Sequence, residues 1–274
     1  MASPFFDLTG KVAFITGTSR GLGQHFARAL AQAGADIAMS SRDAAKLAPF
    51  RKEIEALGRR TCGVDLDAFS TAGPVAARGE RPRIIGVGRL VPRKGFDTVI
   101  EALPAIQDAE FLIVGGPSLR DLDDDPEVRR LSALADRLGV ADRVVFTGAV
   151  ARKDMPPLLR SADVVTCTPW YEPFGIVPLE AMACGVPVVA SAVGGMLDTV
   201  VHDVTGRLVS PRRPRECADA VTTILRDSFL RRSLGLAGRD RACARYSWDR
   251  VAADTLRIYD QLVGASEQML PLLG

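Results

Sequence analysis

The chain has 274 residues, with 35 Lys+Arg, 33 Asp+Glu and 2 His, for a formal net charge of +2. Hydrophobic residues make up 47% and charged residues 25%, ordinary proportions for a soluble globular protein. These values exclude a disordered chain, a collagen-like chain and a strongly basic nucleic-acid binder. No uninterrupted apolar stretch is long enough for a transmembrane helix, which needs about 18 residues or more. The opening Met1-Ala-Ser-Pro-Phe-Phe-Asp has no basic start followed by an apolar core, so no secretory signal is expected.

The predicted elements alternate strand and helix. Val12–Thr16 is an apolar run ending at glycines, as buried parallel strands do. A helix follows over Gly23–Ala33, its spacing marked by Phe26, Leu30 and neighbouring alanines. A strand over Asp36–Met39 comes next, then a helix over Ala44–Leu57 with Leu47, Phe50, Ile54 and Leu57 on one face. Asp67–Pro82 is rich in Ala, Gly, Pro and Ser and reads as a linker. Beyond it, strands are predicted at Arg83–Val87, Phe111–Val114, Arg143–Phe146, Val164–Thr166, Pro187–Ala190 and Gly206–Val209. The intervening helices are Gly95–Ile106, Pro126–Leu138, Met155–Ser161 and Ile176–Cys184, and Arg213 to about Val263 is mostly helical. Repeated βα units imply an α/β fold with parallel sheets covered by helices on both faces. The expected organisation is a βαβα fragment over 1–61, a junction over 62–80 and a larger doubly wound domain over 81–274.

Cys62, Cys167, Cys184, Cys217 and Cys243 form no C-x-x-C pair, and their odd number argues against a disulfide framework. A reducing cytoplasm is the expected compartment. Two scattered histidines and scattered thiols lack metal-ligand spacing, so no metal site is expected. His25 and His202 read as surface or packing residues. Of the basic residues only 5 are Lys against 30 Arg, which draws notice to each lysine.

Ligands of doubly wound sheets bind at the carboxyl ends of strands, and the motifs fall there. Thr16-Gly17-Thr18-Ser19-Arg20-Gly21-Leu22-Gly23 runs from a strand into a helix, a setting that suits a pyrophosphate. A tight βα turn with no ligand is the bland alternative. The second strand runs into Ser40-Ser41-Arg42-Asp43, with no acidic residue at its end to take an adenosine ribose. Arg20 and Arg42 are placed to pair with a 2′-phosphate instead, which favours NADP if a dinucleotide binds.

The segment LTGKVAFITGTSRGLGQHFARALAQAGADI resembles the start of the short-chain dehydrogenases. The resemblance implies a Rossmann-like fragment and a dinucleotide site at Gly17, Ser19, Arg20, Gly21, Gly23 and Arg42. That family's Asn-Ala-Gly loop, catalytic Ser and Tyr-x-x-x-Lys are absent. Tyr171, Tyr246 and Tyr259 are followed four residues on by Gly175, Arg250 and Val263. Hydride chemistry therefore has no evident proton donor.

Three further clusters lie in the larger piece. Gly86-Val-Gly88-Arg89-Leu-Val-Pro-Arg93-Lys94-Gly95 ends a strand and starts a helix. Its Arg89 and Lys94 suit a diphosphate, whose charge they would offset during bond cleavage. Glu172 and Glu180 stand eight apart in EPFGIVPLEAMACGVP, the first in a loop and the second about one turn into a helix. Carboxylates at such positions suit the paired hydroxyls of a sugar or a ribose. Val193-Gly194-Gly195-Met196 forms another strand-end turn. Each has a bland alternative: a solvated basic loop, an ordinary helix Glu, a simple turn.

Together, GVDLDAF, GVGRLVPRKGFDTVIEAL, LIVGG, VVFTG, EPFGIVPLEAMACGVPVVAS, VGGMLDTV and TGRLV resemble the donor-binding domain of retaining GT-B glycosyltransferases, the family 4 group. The resemblance covers about Cys62 to Gln261. It implies a Rossmann-like doubly wound GT-B donor domain that binds a UDP-, GDP- or ADP-sugar and needs no cofactor. Arg89 and Lys94 would hold the donor diphosphate. Glu172 would contact sugar hydroxyls and Glu180 the ribose hydroxyls, with the base near Val145–Ala149. Gly88, Phe174, Gly175, Ile176, Gly194 and Gly195 would complete the donor site. In that family a whole amino-terminal domain holds the acceptor, whereas here the preceding residues resemble another family. The chain therefore reads as a chimera, natural or engineered. The resemblance implies retaining hexosyl transfer or donor binding alone, with an NADP-binding dehydrogenase-like protein or an inactive chimera as alternatives. The last helix, Trp248–Leu262, is expected to pack on the βαβα fragment. Exposed edges of two small strands would favour a homodimer.

Overall fold

The computed structural model describes residues 8, 12–16, 22–40, 65, 66, 68–247 and 250. Its contacts divide the chain into two units, Met1–Val64 with Ala244–Gly274, and Asp65–Cys243.

In the first unit, β1 (Val12–Thr16) pairs in parallel with β2 (Asp36–Ser40), in register from Val12 opposite Asp36 to Thr16 opposite Ser40. The connecting α1 (Leu22–Gln32) buries Ala27 and Ala31 against Ile15, Ile37 and Met39. The predicted helix is present, but Phe26 is 59% exposed. Small residues four apart set the packed face, letting the helix lie close to the strands. Gly23 falls in the first turn of α1. Gly17, Ser19, Arg20, Gly21 and Arg42 lie outside the described residues, as do the predicted helix Ala44–Leu57 and all of Trp248–Leu262 except Arg250.

The second unit is a six-stranded sheet. Its strands are β3 (Arg83–Val87), β4 (Glu110–Val114), β5 (Val144–Gly148), β6 (Val164–Cys167), β7 (Val188–Ser191) and β8 (Gly206–Val209). The order is β5-β4-β3-β6-β7-β8 and every pairing is parallel. VVTC of β6 and VVAS of β7 are buried at every position, as strands covered on both faces must be. The edge strand β5 is only partly buried.

Helices α2 (Phe96–Ala102), α3 (Pro126–Arg137), α4 (Met155–Arg160), α5 (Ile176–Ala183), α6 (Met196–Thr199), α7 (Pro214–Arg226) and α8 (Ser228–Tyr246) connect the strands or close the unit. Two predicted helices are shorter than expected. Gly95–Ile106 becomes α2 followed by a 3-10 turn, Leu103–Ala105, because Pro104 has no N–H to continue the ladder. The run from Arg213 breaks at Asp227, which has extended backbone, separating α7 from α8. The short α6 after Gly195 was not expected from the pattern.

The amino ends of the strands are pinned together. Arg83 is buried, and its Nε donates to Glu110 Oε1 at 2.6 Å and its Nη1 to Ser161 Oγ at 2.9 Å. Its backbone N–H donates to Asp163 Oδ2 at 2.8 Å. The expected linker is also tied down where it enters this unit. Phe69 is buried, Ala76 N–H donates to Pro157 O at 2.9 Å, and Arg160 donates to Ser70 O at 2.9 Å and Pro74 O at 2.8 Å. Composition marks this segment as irregular but not as free, because its anchors lie some ninety residues away.

Candidate active site

The strand order reverses between β3 and β6, so their carboxyl ends splay apart and leave a crevice at the switch point. Two loops meet there. The first, Gly88–Gly95, leaves β3; the second, Thr168–Gly175, leaves β6. Gly88 N–H donates to Val114 O at 2.9 Å, fixing where the first loop starts. Thr168 Oγ1 donates to Gly95 O at 2.8 Å, Trp170 N–H to Arg93 O at 3.1 Å and Arg93 Nη1 to Tyr171 O at 3.4 Å. Gly95 has φ +70, and a Cβ there would stand 1.9 Å from the Thr168 carbonyl oxygen. Only glycine allows this approach in this conformation.

The lacing delivers one contact of chemical weight. Lys94 Nζ donates to Glu172 Oε2 at 2.6 Å, with the lysine side chain 16% exposed and the glutamate 3%. The lysine methylenes run beside Gly88, where a Cβ would already touch them at 3.3 Å. Charges this buried are retained only where opposite charge and hydrogen bonds compensate their lost hydration. Arg89, five residues earlier, is solvent-exposed.

A third turn backs the second loop. Gly195 N–H donates to Glu172 O at 2.9 Å. A Cβ on Gly194 would stand 2.2 Å from that same oxygen, and one on Gly195 would stand 2.5 Å from Phe174 O. Gly194 and Gly195 therefore hold the Glu172–Phe174 backbone by close contact. Gly175 (φ 80, ψ 50) then starts α5, with no side chain capping the first N–H groups. Ile176 opens that helix, and its uncapped N–H groups carry the positive end of the helix dipole.

Glu180 lies one turn further along α5 and is 7% exposed. Arg152 Nη1 donates to its Oε1 at 3.3 Å, and the same guanidinium sits over the Phe69 ring, 5.2 Å from its centroid. Cys167 closes β6 next to these groups. Burial pushes its thiol up to about 12, against the opposing pull of Lys94, so it stays protonated and is no nucleophile at neutral pH. Among the described residues, no group of three or more His, Cys, Asp or Glu is placed to hold a metal ion.

The structure thus brings Gly88, Lys94, Glu172, Phe174, Gly175, Ile176, Gly194 and Gly195 to one crevice, with Arg89 on the first loop and Glu180 behind on α5. His202 does not join them. His25 is exposed on α1, and exposed His202 accepts a hydrogen bond at Nδ1 from Leu208 N–H at 3.0 Å. Sequence reasoning missed Thr168 and Arg152. Thr168 sits in no pattern. Arg152 carried one faint signal, a basic residue shortly after VVFTG.

A parallel sheet whose strand order reverses at a central switch point defines the doubly wound α/β class, whose ligands bind at that point. The profile of the family "Glycosyl transferases group 1" matches residues 72–241, so the chain belongs to that family. A short chain dehydrogenase profile also matches residues 11–77. The GDP-mannose-dependent alpha-(1-6)-phosphatidylinositol monomannoside mannosyltransferase of Mycobacterium tuberculosis is 40% identical over 209 residues, covering 70% of this chain and 52% of that protein. Sucrose-phosphate synthase from Thermosynechococcus elongatus superposes with TM-score 0.66 at 33% identity, over 89% of this chain and 62% of that one. The C-terminal domain of a group 1 family glycosyl transferase from Francisella tularensis is 29% identical with TM-score 0.57, over 68% of this chain and 99% of that domain. The chain spans about half the length of the curated relatives it matches. Among the described residues, no helix is long and apolar enough to cross a membrane.

Proposed function

We propose that this chain binds a nucleoside diphosphate sugar at the β3/β6 crevice and transfers its hexose to an acceptor hydroxyl with retention of configuration. The observation that carries the reading is the buried Lys94–Glu172 pair joining the two loops at the switch point. In this reading the bond between the sugar C1 and the diphosphate oxygen breaks. The acceptor oxygen bonds to C1 on the same face, and its proton passes to the departing diphosphate. Lys94, Arg89 and the uncapped N–H groups of α5 offset the charge that builds on that leaving group. Glu172 takes sugar hydroxyls while it orients Lys94. Glu180 takes the ribose hydroxyls, and the base lies along Val145–Ala149. The step so drawn requires no cofactor.

UDP, GDP and ADP sugars all present the required diphosphate and ribose. The name of the mycobacterial relative puts a GDP-sugar first among them. The short chain dehydrogenase match over 11–77 favours a second reading, NADP binding at Gly17, Ser19, Arg20, Gly21, Gly23 and Arg42. Two family matches within one chain support a chimera joined at about 62–80. Free Cys167, Cys184, Cys217 and Cys243 fit a reducing, cytoplasmic setting. Among the described residues β1 and β2 pair only with each other, which favours a homodimer through their edges.

Calorimetric titration with UDP, GDP, ADP and NADP, side by side, tests this reading. A nucleoside diphosphate should bind, and Glu180→Ala should weaken it about 10–100-fold, the value of hydrogen bonds to a charged group. NADP binding alone would assign the working site to the Gly17–Gly23 loop. No binding at all would leave a folded chimera without either function.

A further inference from the structure

We propose that Arg152 is a positioning residue for ribose recognition, holding the buried Glu180 carboxylate where it meets the two hydroxyls of the bound nucleotide. The inference rests on the donor-site reading above. Glu180 arises from α5 on one side of the switch point. Arg152 begins the 3-10 turn Arg152–Asp154 that follows β5, on the other side. One side chain therefore spans from the loop after β5, near Val145–Ala149 where the base is placed, to the carboxylate where the ribose is placed.

Three features argue for a functional rather than a structural purpose. The glutamate side chain is only 9% exposed, and Arg152 Nη1 stands 3.3 Å from its Oε1. The guanidinium is 48% exposed and its ion pair is long, so the pair is worth little to folding. It also sits over the buried Phe69 ring, 5.2 Å from its centroid and within cation–π range, which favours this placement. Phe69 belongs to the tethered segment that precedes β3, so that segment braces the ribose side of the site from behind.

The test compares dissociation constants of UDP and GDP with those of their 2′,3′-dideoxy forms. The unmodified protein should favour the ribonucleotide by about tenfold or more, and Glu180→Gln should bring that ratio near one. Arg152→Ala should cut the ratio about fivefold, leave dideoxynucleotide affinity within about twofold, and barely move the melting temperature. Arg152→Lys, which keeps the charge, should restore part of the ratio. The proposal is overturned if Arg152→Ala keeps the full ratio while Glu180→Gln loses it; the donor-site reading then survives alone. It is equally overturned if both nucleotide forms weaken together, which would make Arg152 a direct contact to base or phosphate. Tighter ribonucleotide binding in Arg152→Ala would also overturn it, by showing that the pair competes with the ribose. An unchanged ratio in Glu180→Gln, or no binding of either nucleotide pair, would remove the donor-site reading and this inference with it.

Discussion

Lys94→Ala should both destabilise the protein and abolish sugar-nucleotide turnover. The substitution removes the ammonium 2.6 Å from a carboxylate that is 3% exposed. Breaking a buried pair in this way costs about 3–5 kcal/mol, because the remaining charge stays desolvated. For a domain of this size that is a fall of roughly 10 °C in melting temperature. Turnover should fall at least about 100–1,000-fold, the usual effect of removing one preorganised group that meets developing charge. The double substitution Lys94→Met with Glu172→Gln separates the two effects. It removes both charges of this pair, so stability should return to within about 1–2 kcal/mol of the original. Turnover should stay lost, since neither neutral side chain offsets a diphosphate. Thermal melts and a donor-turnover assay on the three proteins settle this. A Lys94→Ala protein that melts like the unmodified one would show that the pair is not the buried contact described.

Gly95→Ala should be nearly as damaging, for a different reason. The new methyl would stand 1.9 Å from the Thr168 carbonyl oxygen, a backbone atom with no side-chain freedom to escape. The residue also sits at φ +70, where a Cβ costs about 1–2 kcal/mol by itself. Relief requires the Gly88–Gly95 loop to move away from β6, breaking the Thr168–Gly95 hydrogen bond and drawing Lys94 from Glu172. We expect a loss above about 3 kcal/mol, combining strain with overpacking, and loss of nucleotide binding. Gly139→Ala is the control. It has φ +66 but open space around it, so only the conformational cost of about 1–2 kcal/mol should appear, with binding intact. Urea unfolding and calorimetry on both variants measure the contrast. Equal effects at the two glycines would mean that close packing at Gly95 plays no part.

The frame of the larger unit was legible because most of its strands carry short apolar runs closed by glycine or polar residues. Val164–Cys167 and Val188–Ser191 have few other conformations in which to bury their side chains. Boundaries were less legible where one residue overrides a pattern. Pro104 ends α2 inside an apolar stretch, and Asp227 breaks a helical run that periodicity alone would carry through. In α1 the bulky Phe26 drew the reading, while Ala27 and Ala31 face the strands. The candidate residues themselves were readable from residue type and position: Lys94 as a scarce lysine between a strand end and a helix start, and Glu172 and Glu180 as carboxylates eight apart in a loop and the helix after it. Their pairing was not. Lys94 and Glu172 lie 78 residues apart, and only the crossover from β3 to β6 makes them neighbours. Arg152 escaped notice for the same reason, since its partner Glu180 lies 28 residues on and across the switch point.

The central claim is that a sugar nucleotide binds with its diphosphate at the Lys94–Glu172 crevice. The most direct measurement is a crystal structure of the protein grown with GDP-mannose or UDP-glucose. The account predicts diphosphate oxygens within hydrogen-bond distance of Lys94 Nζ and Arg89 at the amino end of α5, and ribose hydroxyls on Glu180. A nucleotide seated instead against Gly17–Gly23, with the Lys94–Glu172 crevice empty, would contradict it.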